Sequence, residues 1–286
     1  MPELPEVETI KRELEKAVLG KKITAVFVHN PYVIKQPEKS AFVKGLKNRV
    51  IKNILRKGKL LILELSSGKS LAIHLKMTGQ LILRQKALSI NPKQAKQAEG
   101  LIYPGEGKAR RMSFQLSNGK ILDFMDRRLL GELRLIEDWR ELTFVQGLGP
   151  EPFDLSIAQF SRMLASRKTK IKPLLMDQTF ISGIGNLYAA EVLFRAGIHP
   201  ERLSASLSQK EKERLFQEIN KTLHEAIKYK GSSVDQYVQL NGTLGHYVSH
   251  HKVYDRQGEP CSNCKTPIKR ISLGGRGTYF CPRCQK

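Results

Sequence analysis

Leu60-Leu61-Ile62-Leu63-Glu64-Leu65-Ser66-Ser67-Gly68-Lys69-Ser70-Leu71-Ala72-Ile73-His74-Leu75 is two short apolar runs, Leu60–Leu65 and Leu71–Leu75, around a Ser66-Ser67-Gly68-Lys69 turn. Short apolar runs bounded by turn formers read as a β-hairpin. Working outward, Met112–Leu116 and Lys120–Phe124 flank Asn118-Gly119, a strong hairpin signal, and Ile23–His29 reads as a further strand. Repeated hairpins between Ile23 and about Leu135 predict an antiparallel sandwich. In front of it, Val7, Ile10, Leu14 and Val18 recur at helical intervals after Pro5 until Gly20, which predicts a flanking helix with one buried face. Lys86–Gly107 is polar with no sustained period and reads as a surface excursion.

Beyond the sandwich, turn formers cluster at Gly147-Leu148-Gly149-Pro150-Glu151-Pro152 and the period becomes helical. Ile157, Phe160 and Leu164 give one helix. Ser208-Gln209-Lys210-Glu211 is a capping box opening a second, which carries Leu215, Ile219, Leu223 and Ile227 before Gly231. Between them Gly183-Ile184-Gly185-Asn186 precedes a helix over Leu187–Ala196, closed by Gly197. Glycines ahead of a helix N-terminus can cradle a phosphate, because free backbone N–H groups and the dipole both favour an anion.

The four cysteines, Cys261, Cys264, Cys281 and Cys284, all lie in the last 26 residues of the 286. Two C-x2-C knuckles spaced this way fit a tetrahedral four-thiolate Zn2+ site, and the segment from about His246 reads as a zinc ribbon. Two adjacent disulfides are the competing reading and would suit a secreted chain. The N-terminus is acidic rather than basic and then apolar, and no run of about 20 apolar residues exists. The expectation is a soluble, intracellular protein with no membrane partner. Lys+Arg number 49 against 27 Asp+Glu, a net charge of +22 that needs an anionic partner, and 40% hydrophobic residues suffice for real cores. Charge alone leaves nucleic acid, an anionic membrane and a merely solvated surface open. The basic residues concentrate near glycines and loops, as in Arg127-Arg128, Arg167-Lys168-Thr169-Lys170 and Gly275-Arg276-Gly277, and with a ribbon attached this favours nucleic acid.

Pro2 is the informative residue, and the competing reading is that it merely begins a chain. Removal of Met1 would leave a proline secondary amine, and an α-amino group supplies roughly 300-fold more free base at neutral pH than a lysine. Such an amine can attack an electrophilic carbon and form an iminium. Glu3 and Glu6 stand beside it.

Met1-Pro2-Glu3-Leu4-Pro5-Glu6-Val7-Glu8-Thr9 resembles the start of the formamidopyrimidine-DNA glycosylase/endonuclease VIII family. The resemblance continues through Arg56-Lys57-Gly58-Lys59, His74-Leu75-Lys76-Met77-Thr78-Gly79, Leu148-Gly149-Pro150-Glu151-Pro152, Lys172-Pro173-Leu174-Leu175-Met176-Asp177, Gly185-Asn186-Leu187-Tyr188, Gly197-Ile198-His199-Pro200 and Gly275-Arg276-Gly277-Thr278-Tyr279-Phe280-Cys281. It lies nearer the formamidopyrimidine (8-oxoguanine) branch. The resemblance implies a multidomain α+β protein: a sandwich domain with its flanking helix over 1–135, a linker over 136–152, a helix-two-turn-helix domain over 153–245 and a zinc ribbon over 246–286, with damaged double-stranded DNA in the cleft. It also implies a bifunctional glycosylase and abasic-site lyase. Pro2 would attack C1′, Glu3 would be the general acid, Lys59 and Arg276 would assist the first and second eliminations, and Glu6 would support the site. Lys172 and Asn186 would grip phosphates, and Met77 and Arg128 would fill the vacated stack. A monomer of bacterial type, cytoplasmic and associated with the nucleoid through its DNA, is the corresponding expectation.

Departures fall on specificity. Where the family reads Asp-x-Arg-(Arg/Lys)-Phe-Gly, this chain has Asp126-Arg127-Arg128-Leu129-Leu130-Gly131, with a leucine at the aromatic wedge. A phosphate-binding histidine falls at Arg111, a basic residue at Ser166, and another at Asp235, which opens the damaged-base loop of roughly 235–246. A catalytically silent DNA binder and an enzyme directed at oxidised pyrimidines are the alternatives these residues leave open.

Overall fold

The computed structural model describes residues 1–85, 109–234 and 236–286. The polar excursion at 86–107 and Asp235 therefore lie outside the described residues. The hairpin at Ser66–Lys69 joins β4 (Leu60–Leu65) to β5 (Ser70–His74), paired Leu60↔His74 through Glu64↔Ser70. Because side chains alternate across a strand, Leu61, Leu63 and Leu65 enter one core together with Leu71 and Ile73. That core is shared by two sheets. The first has the order β2 (Ile34–Gln36), β9 (Glu132–Ile136), β5, β4, β3 (Ile51–Lys57); the second runs β1 (Ile23–Val28), β7 (Arg110–Leu116), β8 (Lys120–Asp126), β6 (Gly79–Gln85). Leu81, Met112, Phe114, Leu122 and Phe124 meet the residues of the first sheet in this core. Every described pairing in the sandwich is antiparallel except β2 with β9, which is parallel.

Helix Leu4–Val18 lays Val7, Ile10, Leu14 and Val18 into the same core and packs on β3 and β4. A second helix, Lys39–Leu46, buries Phe42 and Leu46 there.

The chain divides by contacts into two compact units, Met1–Leu142 with Tyr229–His246, and Thr143–Lys228 with Tyr247–Lys286. Tyr229–His246 groups with the sandwich rather than with the helices preceding it in sequence. Tyr237 and Leu240 are buried in the sandwich core, Leu83 donates to the Leu240 carbonyl at 2.8 Å, and the Leu240 N–H reaches Glu13 at 2.9 Å.

In the second unit, helices Ile157–Ala165, Ile171–Met176, Asn186–Ala196 and Gln209–Lys228 precede the ribbon hairpin β10 (Lys269–Leu273) and β11 (Arg276–Phe280). The capping box at Ser208 is present: its hydroxyl accepts the Glu211 N–H at 3.3 Å and Glu211 accepts the Ser208 N–H at 2.8 Å. Gly197 ends Asn186–Ala196 in the left-handed region, at φ +67°.

Candidate active site and zinc centre

Helix Leu4–Val18 begins at Glu3, whose extended backbone (φ −106°, ψ −169°) keeps it out of the helix, and Pro5 fits the first turn because the N–H it lacks has no partner there. Glu3 and Glu6 satisfy each other. The Glu3 carboxylate accepts the Glu6 N–H, and Glu6 Oε2 accepts the Glu3 N–H at 2.8 Å. Glu6 is engaged a second time, since its Oε1 accepts the Ser232 N–H at 2.9 Å. Pro2, Glu3 and Glu6 are all buried, so this first turn is a fixed part of the interior and not a loose terminus.

Gly231 does more than stop a helix. It takes φ +76°, and a Cβ there would lie 2.9 Å from both Cγ and Oε1 of Glu6, so only glycine lets Ser232 reach that carboxylate. Gly245 is pressed closer still, 2.4 Å from the Lys230 and Gly231 carbonyl oxygens for an added Cβ, and Tyr237 donates its hydroxyl to the Lys230 carbonyl at 2.9 Å. Burial, reinforced by Glu6 and Glu13, pushes the Tyr237 phenol well above its usual range, which keeps it a neutral donor.

Lys59 is the second residue of the two-residue turn between β3 and β4, with Lys57 paired to Leu60 and Gly58 at φ +55°. Positive φ at the first turn residue is the pattern glycine serves in a type II′ hairpin. The lysine is 8% exposed. Burial pushes its ammonium below the ordinary lysine range, and the charges of Glu3 and Glu6 act in the opposite direction. The structure thus brings Glu3, Glu6 and Lys59 into one electrostatic neighbourhood.

The second unit assembles another group. Lys172, 1% exposed in helix Ile171–Met176, donates its Nζ to Asn186 Oδ1 at 2.5 Å, and Asn186 Nδ2 donates to the Gly277 carbonyl at 3.1 Å. Asn186 opens its helix beyond Gly185, whose side chain cannot cap it. The β10–β11 turn passes through Gly274 (φ +57°) and Gly275 (φ +69°), two successive left-handed residues that present Arg276 exposed at the start of β11. Gly149 is needed for close approach, since a Cβ there would lie 2.6 Å from the Phe180 carbonyl carbon.

The four cysteine sulfurs all lie within 4.8 Å of one another, with Cys261 to Cys284 at 3.9 Å and Cys264 to Cys281 at 3.4 Å. Four thiolates at the Zn–S length of about 2.3 Å on a tetrahedron are about 3.8 Å apart, whereas a disulfide would bring a pair to about 2 Å. The donor set fits one structural zinc ion and no disulfide. The knuckles are built for it: Lys265, left-handed at φ +65°, returns its N–H to the Cys261 carbonyl at 3.0 Å, and Gln285 closes the second knuckle on the Cys281 N–H at 2.8 Å. Cys261, Cys281, Val253 and Ile268 pack on Ala190 and Phe194 of helix Asn186–Ala196, so the ribbon shares a core with that helix.

Comparison with known proteins agrees at every part of the chain. The formamidopyrimidine-DNA glycosylase N-terminal domain matches residues 1–133, the H2TH domain of the same enzymes 148–238, and a zinc finger found in FPG and IleRS 258–286. A formamidopyrimidine-DNA glycosylase of Pelotomaculum thermopropionicum is 40% identical over 100% of this chain and 99% of its own, and one of Bacillus cereus is 37% identical with the same coverage. This chain belongs to the formamidopyrimidine-DNA glycosylase family. It is a DNA glycosylase with a structural zinc finger. Among solved structures, a Lactococcus lactis FPG mutant bound to Fapy-dG DNA superposes with a TM-score of 0.87 at 34% identity over the whole of both chains, and a MutM complex with carbocyclic 8-oxo-G DNA is also 34% identical. Among the described residues no helix is long and apolar enough to cross a membrane.

Set within this glycosylase, Met77, Arg128 and Leu130 lie in two exposed loops of the sandwich unit. Met77 sits 41% exposed in the β5–β6 connection, and Arg128 and Leu130 are exposed in the β8–β9 connection, Leu130 at 39%. Arg111 lies in β7, where its Nε donates to the Asp126 carbonyl at 2.6 Å and an Nη to the Arg127 carbonyl at 3.4 Å. Ser166 caps helix Ile157–Ala165 through its hydroxyl on the Met163 carbonyl at 2.9 Å. Sequence reasoning did not single out Ser232, Thr78 or Asp126. Only Asp126 carried a local signal, the Asp-x-Arg spacing of an Asx-turn.

Proposed function

We propose that this glycosylase excises oxidised purines, 8-oxoguanine and formamidopyrimidines, from duplex DNA and then cuts the strand by β,δ-elimination. With Met1 removed, the Pro2 amine attacks C1′, the C1′–base bond breaks, and the base leaves with the bonding pair and takes up the proton that the Pro2 nitrogen sheds. Glu3 delivers a proton to the sugar ring oxygen as the C1′–O bond opens, leaving an iminium on Pro2. Loss of a C2′ proton expels the 3′ phosphate, assisted by Lys59, and a second elimination assisted by Arg276 expels the 5′ phosphate.

The observation that supports this reading is the buried first turn, in which Glu3 and Glu6 hold each other by a reciprocal pair of hydrogen bonds immediately after Pro2 in the chain, with Lys59 in the same electrostatic neighbourhood. Proximity of acid to nucleophile is what the first step requires. Lys172 and Asn186 would contact phosphates, giving affinity that falls with salt and carries no sequence choice. Met77, Arg128 and Leu130 would fill the space of the extruded nucleotide, Leu130 without aromatic stacking. The lesion bound in the Lactococcus lactis and MutM complexes supports the purine choice.

The test is one excision assay with competing 8-oxoguanine, formamidopyrimidine and oxidised-pyrimidine duplexes, run on the wild type and on Glu3→Gln. The purine lesions are expected to be released first, and Glu3→Gln is expected to lose about 10²- to 10⁴-fold in excision at unchanged DNA affinity. Preferred release of the pyrimidine, or a large affinity loss in the variant, contradicts the assignment.

A further inference from the structure

Asp126 is fully buried at the end of β8, and its carboxylate is shared by two loops. Oδ1 accepts the Arg128 N–H at 3.1 Å and also the hydroxyl of Thr78, while Oδ2 accepts the Gly131 N–H at 2.6 Å. The first and third bonds close the 126–131 loop on itself. The bond to Thr78 does something else: it ties that loop to the residue immediately after Met77. A buried carboxylate satisfied by three donors is a rigid junction, since losing any one of them leaves charge poorly solvated.

Both loops are held in conformations a free chain would leave. Lys76 (φ +51°) and Leu129 (φ +58°) are non-glycine residues in the left-handed region, each next to an exposed tip. Lys76 is retained by its N–H on His74 Nδ1 at 3.0 Å. Gly79 and Gly131 close the loop bases, where an added Cβ would lie 2.4 Å from the Leu75 carbonyl oxygen and 2.5 Å from Phe124 Cζ respectively. Arg111 adds a strap from outside through its two carbonyl contacts, on Asp126 and Arg127.

We propose that Asp126 is a positioning residue that makes the Met77 and Arg128–Leu130 loops one preformed wedge, with the Thr78 hydroxyl as the coupling bond. The wedge then enters the duplex as a unit, and its ordering is complete before DNA arrives. This rests on the reading of Met77 as a filler of the vacated stack, so the experiment separates the two.

The measurement is stopped-flow opening of a duplex carrying 2-aminopurine beside an 8-oxoguanine, with borohydride trapping on single-stranded abasic DNA, which needs no opening, as the companion readout. Thr78→Val keeps the shape and removes the hydroxyl; Thr78→Ser restores it. Opening is expected to slow about tenfold in Thr78→Val and to return within about twofold in Thr78→Ser, with trapping unchanged in both. Met77→Ala is expected to slow opening as well. Slow opening in Met77→Ala with wild-type opening in Thr78→Val overturns the coupling and leaves the wedge standing. Wild-type opening in Met77→Ala overturns the wedge reading itself. Equal loss of opening and trapping in both Thr78 variants would mark a merely structural threonine and also overturns the proposal.

Discussion

Lys59 is a cation held in the interior against its own solvation. Its pKa is lowered from the ordinary lysine value, so burial costs more than the Glu3 and Glu6 charges return, and that cost is present at all pH values below the folded pKa. Lys59→Met is accordingly expected to raise the melting temperature of the DNA-free protein while slowing strand cleavage; a lower melting temperature would show that the carboxylates more than repay the burial. His74 gives a pH signature of its own. Burial, then the charge of Lys76, pushes the imidazole down to about 4 from 6.5, and its Nδ1 accepts the Lys76 N–H, a role only the neutral ring fills. Because the unfolded chain binds this proton and the folded one does not, stability is lost as pH falls from about 6.5 towards 4, by at most about 3 kcal/mol. Replacing His74 with Gln keeps an acceptor and should flatten that part of the stability curve. An unchanged slope would assign the acid sensitivity to other groups.

At the scale of elements, what the sequence revealed and what it hid have separate physical causes. The hairpins around Ser66–Lys69 and Asn118-Gly119, the helix stripe of Val7, Ile10, Leu14 and Val18, and the Ser208 capping box are local signals, and each is present in the structure. β3 was hidden because it is an edge strand with a register shift between Ile51 and Asn53, and β2 because it has three residues and pairs in parallel. Lys59 could be named from its motif, but its burial depends on the helix that Glu3 begins. The latch between Glu6 and Ser232 spans 226 positions and left no periodic trace. Gly231→Ala tests that latch: the new Cβ meets Glu6 in a left-handed position, and glycosylase activity is expected to fall at least about tenfold with a destabilisation of about 1–3 kcal/mol. Activity and stability within error of wild type would show that the segment can relax away from Glu6 without consequence.

For the whole molecule, zinc and charge set the behaviour. The ribbon's own buried cluster is small, and its four thiols gather at zinc-ligand spacing, so the metal's apparent binding energy of roughly 10–16 kcal/mol supplies what the core does not. Chelation or Cys264→Ser should unfold the hairpin that carries Arg276 and abolish activity on duplex DNA, followed by the loss of zinc from the protein in parallel with turnover; full turnover without zinc would exclude a ribbon requirement. With 49 basic residues against 27 acidic, affinity for duplex DNA should fall steeply as salt rises. The central claim concerns one atom, the nitrogen of Pro2. Borohydride-trapped complex with abasic DNA, digested and sequenced by mass spectrometry, locates the adduct directly. The account predicts the deoxyribose mass on a peptide beginning at Pro2, with Met1 gone; the adduct on a lysine, or on a chain that still carries Met1, would contradict it.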